Sequence, residues 1–402
     1  MIRNLHAAND RFFRGIGTNI LILGVVSLCT DVSSQMVFPL IPLYLTSVLA
    51  VGAYVVGLVE GAAETTASFL KVISGHVSDR IRRRKPFILL GYGLSSVVKP
   101  LFAFATVWPA VLGLRVIERV GKGLRTAPRD AIVAESCDAT VRGRAFGFNR
   151  AMDGIGSMGG AVLAFLLLPV IGFRNVFLVA FIPGIIAVLA IFLIREEPSA
   201  AEPSAATPSL QVSLRQLPHG LRLFIAASAV FAFGHFGYAF LLLKALSTGA
   251  SDTTALLFYV LFYGVYTVCT IPAGVVSDRA GRKPVIMSGY VLFGLLSAGL
   301  AMVAGSAFLP VFFALYGIFF ALVDGAQRAF IVDMAPPALK ATALGTFHTA
   351  IGLVALPGGF IAGLLWDLYA PAYTFLFGGI MAALALGLMA GVEATPASPA
   401  AA

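Results

Sequence analysis

Charge is scarce in this chain. Of its 402 residues only 12% are Asp, Glu, Lys or Arg, while 59% are hydrophobic and the mean hydropathy is +0.92. Soluble domains carry about 25% charged residues, so the deficit excludes an ordinary globular enzyme. Cysteine is scarcer still. Cys29, Cys137 and Cys269 are the whole complement, too few and too far apart for a disulfide framework or a paired-cysteine metal site, and they fit small packing residues. A Walker phosphate loop, an HExxH zinc motif and a nucleophile elbow are also missing. The sequence therefore gives no basis for ATP hydrolysis, zinc catalysis or serine-type chemistry. The 9 methionines are scattered rather than arrayed for copper. No cofactor, metal or enzymatic activity is expected.

Long apolar blocks fill the space that charge leaves, among them Thr18–Cys29, Ala161–Leu168 and Phe375–Gly391. They do not alternate, which argues against a membrane β-barrel, and a helix needs about 20 apolar residues to cross a bilayer. The expected fold class is an all-α membrane protein with helices near 18–46, 52–78, 86–106, 108–127, 145–169, 173–194, 221–244, 253–277, 284–305, 308–334, 343–366 and 371–392. The start, MIRNLHAANDRFFRG, is polar and shows no cleavable leader.

The net charge of +9 is distributed unevenly. Arg3, Arg11 and Arg14 precede the first helix, and Arg80, Arg82, Arg83, Arg84 and Lys85 follow the second. Arg125, Arg129, Arg142 and Arg144 lie in or beside the connection from the fourth helix to the fifth, at an expected cytoplasmic rim, and Arg279, Arg282 and Lys283 follow the eighth. Segments 47–52, 105–110 and 304–309 hold no Lys or Arg. This alternation follows the positive-inside rule. It implies a multi-pass protein of the inner membrane with both termini cytoplasmic, and nucleic acid is not needed to explain the basic excess.

Residues 195–220 are rich in Ala, Pro and Ser and suit a cytoplasmic linker. They separate an N-terminal six-helix bundle, 1–194, from a C-terminal one, 221–392, with a disordered tail expected at 393–402. The halves repeat each other. GHVSDRIRRRKP, from Gly75, matches GVVSDRAGRKP, from Gly274, at an offset of 199 (274 − 75). One extra basic residue in the first copy shifts the offset to 198 at Pro86 and Pro284. The new offset then persists, pairing Glu135 with Asp333, Gly147 with Gly345, Arg150 with His348 and Gly160 with Gly358. Parallel repeats of this kind place a substrate site near the bilayer midplane, between the halves.

The duplicated loop resembles the G-x-x-x-D-R-x-G-R-[RK] element of the major facilitator superfamily, with Arg82 where the first copy would carry glycine. That resemblance spans nearly the whole chain and implies twelve transmembrane helices in two pseudo-symmetric bundles. It also implies a gating role for Gly75, Asp79 and Arg80 and for Gly274, Asp278 and Arg279. Small glycines let helices approach, and acids at helix ends can make contacts that form in one state and break in the other. In the fourth helix, Arg119, Lys122 and Gly123 resemble the family's R-x-x-[polar]-G pattern. From Gly147 to Gly160 the fifth resembles its antiporter motif, with Gly156 where that motif has proline.

Charges inside helices cost roughly 2.5–3.5 kcal/mol each on insertion scales, so each needs a partner or a wet cavity. They crowd the first half. Asp31, Glu60, Glu64, Lys71, Lys99, Arg115, Glu118, Arg119, Arg150 and Asp153 stand there, whereas Glu60, Glu64 and Lys71 become Tyr259, Tyr263 and Thr270 in the second. Glu60 and Glu64 are one turn apart and share a helix face. Two carboxylates held close in low dielectric resist joint ionisation, the property a proton-coupling site needs; neutralisation by Lys71 or a fourth-helix arginine is the competing use. The proton-coupling candidates are Asp31, Glu60, Glu64 and His235. The cavity candidates are Gln35, Arg115, Arg119, Tyr238, Tyr259, Tyr263 and Asp324. Arg115 could clamp an anion or pair internally, and Asp324 could pair with Arg328 one turn on.

The expected activity is secondary transport of a small organic solute by alternating access, coupled to protons, with efflux preferred. The alternatives are proton-coupled uptake of an anionic metabolite or metal chelate, lipid flipping, and a sensor or scaffold that does not transport. The expected partners are a small-molecule substrate, protons and the lipid bilayer. A monomer suffices.

Overall fold

A computed structural model describes residues 17–81, 84–137, 142–194, 217–336 and 339–393. The basic N-terminus, Arg82 and Arg83, most of the linker and the tail beyond 393 lie outside them, as do the side chains of Asp79, Arg80 and Arg142. All the described elements are helical. They are α1 Thr18–Val37, α2 Ala53–Ile81, α3 Lys85–Leu101, α4 Trp108–Glu135, α5 Arg142–Val179, α6 Phe181–Ile191, α7 His219–Gly234, α8 Tyr238–Ser247, α9 Asp252–Ala280, α10 Arg282–Met302, α11 Leu309–Met334, α12 Lys340–Leu368 and α13 Pro371–Ala390.

Nine stretches among the described residues are long and apolar enough to cross a membrane. One of them, Arg144–Ile191, is long enough for two crossings and breaks at Gly172. There φ is +75°, a conformation that only glycine adopts without strain. α2 and α4 complete the twelve; their embedded charges keep them off the apolar tally.

Three departures from the expected helices have local causes. α1 continues past Pro39 through Leu40–Leu43 into a π-helical turn, Tyr44–Val48, where the Thr46 hydroxyl donates to the Pro42 carbonyl at 2.9 Å. Such turns restore backbone bonds that a proline removes. The seventh helix is broken rather than continuous: His235 is extended (φ −74°, ψ 104°) and Gly237 leads into α8. α4 runs eight residues beyond the expected end at 127, through Pro128. Arg125 and Arg129 are therefore helical and inward-facing rather than on a solvated rim. Arg125 stacks over the Tyr92 ring at 4.3 Å, and Arg129 pairs with Asp130 at 2.9 Å and Asp153 at 3.5 Å.

Two compact units emerge. The first gathers residues up to Val37, Leu70–Phe104 and Ile117–Ser204. Here α1 packs on α5 and α6, and α3 on α6, around an apolar core that includes Ile20, Leu23, Ile88, Tyr92 and Ile191. The close α1–α5 contact depends on glycine: a Cβ on Gly156 or Gly160 would press into the Leu28 or Val32 carbonyl. The second unit gathers Phe38–Phe69, Ala105–Val116 and the described residues from 217 onward. α9 packs on α11, α10 on α13, and α7 on α12 and α13. Rings fill its centre, with Phe231 stacked on Tyr290 at 4.0 Å and Phe236 on Phe293 at 4.6 Å.

The sequence repeat is also present in the bonds. In the first unit Arg84 pairs with Glu135 at 2.8 Å, and in the second Arg282 pairs with Asp333 at 3.3 Å. Lys85 donates to the Phe192 and Ile194 carbonyls, and Lys283 donates to those of Ala390 and Val392. Each pair of mates is separated by 198 positions. Both lysines thereby satisfy carbonyls that a helix end leaves without partners.

Candidate functional site

The second unit brings five of the candidate residues into one chain of contacts. Glu60 sits two turns into α2, and its Oε2 accepts from Arg115 Nη2 at 3.0 Å. The Arg115 side chain has no solvent exposure, against 19% for Glu60, and its guanidinium lies over the Phe38 ring at 4.0 Å. From α8, the Tyr238 hydroxyl donates to the same Oε2 at 3.4 Å. The Tyr238 ring meets Tyr259 edge-on at 5.2 Å, and Tyr259 meets Tyr263 at 5.2 Å.

Repeat mates thus converge. Tyr259 is the counterpart of Glu60, and Phe313 is that of Arg115. Where the first half holds an ion pair, the second packs rings, Phe258 against Phe313 at 5.5 Å. Glu60 Oε1 is buried and accepts no hydrogen bond among the described residues.

Glu64, one turn further, is exposed and acts electrostatically on His235. His235 stands at the α7–α8 break. Its Nε2 bonds the Tyr316 hydroxyl at 3.0 Å, and Phe231, Phe293 and Phe319 surround the ring. Asp324 pairs with Arg328 on α11, apart from the Glu60 contacts.

A separate polar cluster occupies the first unit. Asp31, on α1, has Asp153, Arg125, Lys122 and Arg129 as its electrostatic neighbours. Gln35 is buried one turn on, where α5 approaches at Gly160. Arg119 and Glu118, both buried, lie 3.7 Å apart, and Glu118 Oε1 accepts from the Ser95 hydroxyl at 3.1 Å. Fully buried Lys99 donates to the Ser33 hydroxyl at 3.0 Å.

The gating candidates are spread out. Gly75 is the close neighbour of Ala127 on α4. Gly274 and Arg279 are exposed, and Asp278 pairs with Arg282. The side-chain positions of Asp79 and Arg80 fall outside the described residues.

Three residues in these contacts escaped the sequence reading of the site. Tyr316 was legible in principle as the repeat mate of Glu118. Phe38 carries no chemical flag. Asp367, whose carboxylate accepts from the Ala53 and Tyr54 amides at 3.0 and 2.8 Å, belongs to no motif.

A family model described as Major Facilitator Superfamily matches residues 23–244 and 222–401. An uncharacterized MFS-type transporter of Methanocaldococcus jannaschii is 37% identical over 388 residues, 94% of this chain and 96% of that one. Among solved structures, a D-xylose-proton symporter superposes with a TM-score of 0.78 at 17% identity, covering 94% of this chain and 98% of its own. The nucleoside transporter NupG gives 0.77 at 18%, covering 93% and 99%. These two likenesses are likenesses of fold.

Proposed function

The chain belongs to the Major Facilitator Superfamily, and from that premise we propose that it is a proton-coupled secondary transporter moving a small organic solute by alternating access. The observation that carries this is Glu60, a mid-helix carboxylate from the first half of the sequence that is held at once by buried Arg115 and by Tyr238 of the second half. Ionised, Glu60 balances the guanidinium and accepts from Tyr238. Protonated, it loses the charge that attracts Arg115, and the charge-assisted bonds weaken. A proton at this carboxyl therefore changes how strongly α2 is tied to α8. This is the kind of two-state contact that coupling requires.

The solute would meet Tyr238 and Tyr263 on the second half, with buried Tyr259 packed behind them, and exposed Glu64 on the first. Arg115 is fully buried and already engaged, so an arginine clamp on an anion is the weaker reading, and uptake of an anionic metabolite or chelate ranks below it. Efflux is the proposed direction, resting on the resemblance of residues 147–160 to the antiporter motif, from which Gly156 departs where that motif has proline. The transport bundles are proposed to be 1–194 and 221–392, in the inner membrane, with both termini and the linker cytoplasmic, as the Lys and Arg distribution supports. Proton coupling is tested with Glu60→Gln in liposomes. Proton-driven flux should vanish while solute-for-solute exchange persists. Unchanged driven flux would remove Glu60 from the mechanism.

A further inference from the structure

α2 begins without a cap of its own. Gly52 precedes it, its first turn holds no acid, and its first amides need partners from elsewhere. Its repeat mate α9 is self-sufficient: Ser251 caps it by accepting from the Thr254 amide, and Asp252 sits in its first turn. This asymmetry shows that the fold does not require a borrowed cap. α2 nevertheless takes one from the far end of α12, where Asp367 Oδ1 accepts from the Ala53 amide and Oδ2 from the Tyr54 amide.

The same two helices touch over about four turns below that point. A Cβ on Gly57 would strike the Gly359 carbonyl, one on Gly61 the Ala355 carbonyl, and one on Gly363 the backbone at Ala53 and Tyr54. Deeper still, Thr65 donates to the Gly352 carbonyl at 2.6 Å. Beside the cap, Asp252 accepts from the Ser47 hydroxyl at 2.7 Å. Two acids of the second half thus hold donors of the first, at the end whose segment 47–52 lacks Lys and Arg. In the connection between, Ala50 has φ +52°, a strained value for a residue with a Cβ, and such values persist where surroundings impose them. A cavity of about 490 Å³ lined by Thr46, Ser47, Ser247, Trp366 and Asp367 opens alongside.

We propose that Asp367 is a positioning residue that latches α2 to α12 and holds this end of the transporter shut. The contact is a carboxylate docked on the N-terminus of another helix, where the helix dipole favours negative charge. Opening of this end must break both bonds and return the amides and carboxylate to water. Because α2 also carries Glu60, the latch fixes the position of the coupling carboxyl. The proposal rests on alternating access and not on proton coupling, so the two fail separately.

The test uses full-length protein in detergent, with the native cysteines replaced and one cysteine introduced at Ala355, in the α2–α12 contact. Asp367→Ala should speed maleimide labelling there about tenfold, equivalent to about 1.4 kcal/mol, and Asp367→Asn, which retains one acceptor oxygen, by less. A cysteine placed instead at Ala127, beside Gly75, should label more slowly in Asp367→Ala, because opening one end closes the other. In a Glu60→Gln background both responses to Asp367 substitution should persist unaltered. Unchanged labelling at 355 in both Asp367 variants would overturn the latch. Faster labelling at 355 without slower labelling at 127 would also overturn it, since that is local fraying. If Asp367→Ala does not fold, the Asn variant alone decides.

Discussion

Removing either partner of the Glu60–Arg115 pair should destabilise the protein, but unequally, and the inequality follows from what each partner can do alone. Arg115 has a fully buried side chain, and Glu60 has 19% of its own exposed. Breaking a buried ion pair by deleting one member costs about 3–5 kcal/mol, because the survivor is left charged and unpaired. Glu60→Gln removes the carboxylate charge that faces the guanidinium, and the guanidinium cannot lose its proton in a protein.

Arg115→Met leaves a carboxylate that is 19% exposed and can be partly rehydrated, so it should cost less than Glu60→Gln. The double variant should be more stable than the sum of the single losses predicts, by about 2 kcal/mol or more. The assay is equilibrium unfolding in mixed micelles. Additivity of the two substitutions, or an Arg115→Met loss larger than that of Glu60→Gln, would refute the ion-pair account.

Other outcomes follow from single contacts. Gly57→Val should overpack the α2–α12 contact, costing about 1–3 kcal/mol in thermal unfolding, whereas Gly93→Val, with open space around its Cβ position, should cost under half as much. Lys85→Met and Lys283→Met each remove two hydrogen bonds to helix-end carbonyls. Each should lower stability by about 1–2 kcal/mol, and near-equal losses would confirm that the bonds are structural counterparts. Asp31→Asn should alter the pH profile of driven transport, because Asp31 faces Asp153 among three cations; an unchanged profile would confine Asp31 to packing.

Much of the fold was legible because bilayer physics writes itself into composition. Twelve segments, the break between 169 and 173 and the repeat offset of 198 needed only hydropathy and a duplicated loop. The breaks within the seventh helix were not legible, since His235 and Gly237 look like any helical His and Gly until their backbone is seen. Neither was the extent of α4. Its polar segment from Lys122 to Asp130 looks solvated, yet Arg125 is buried over the Tyr92 ring and Arg129 pairs with Asp130 and Asp153.

The candidate site was legible as residue types and not as partners. Glu60 and Arg115 lie 55 positions apart, Tyr238 and Glu60 lie 178 apart, and no local pattern pairs them. Repeat symmetry gave a partial guide, setting Tyr259 opposite Glu60, but it could not show that Tyr238 bridges the two. Asp367 was invisible for a different reason. Its role depends on a cap that α2 lacks, and an absent cap is informative only once the helix start is fixed.

The most direct test of the central claim is proton movement by purified wild-type protein in liposomes of known orientation, against a panel of cationic, neutral and anionic solutes. Coupled transport predicts a change in lumenal pH that depends on the added solute and reverses sign with the solute gradient. Solute flux without any proton movement, across the whole panel, would contradict proton coupling and leave Glu60 as a structural ion-pair partner.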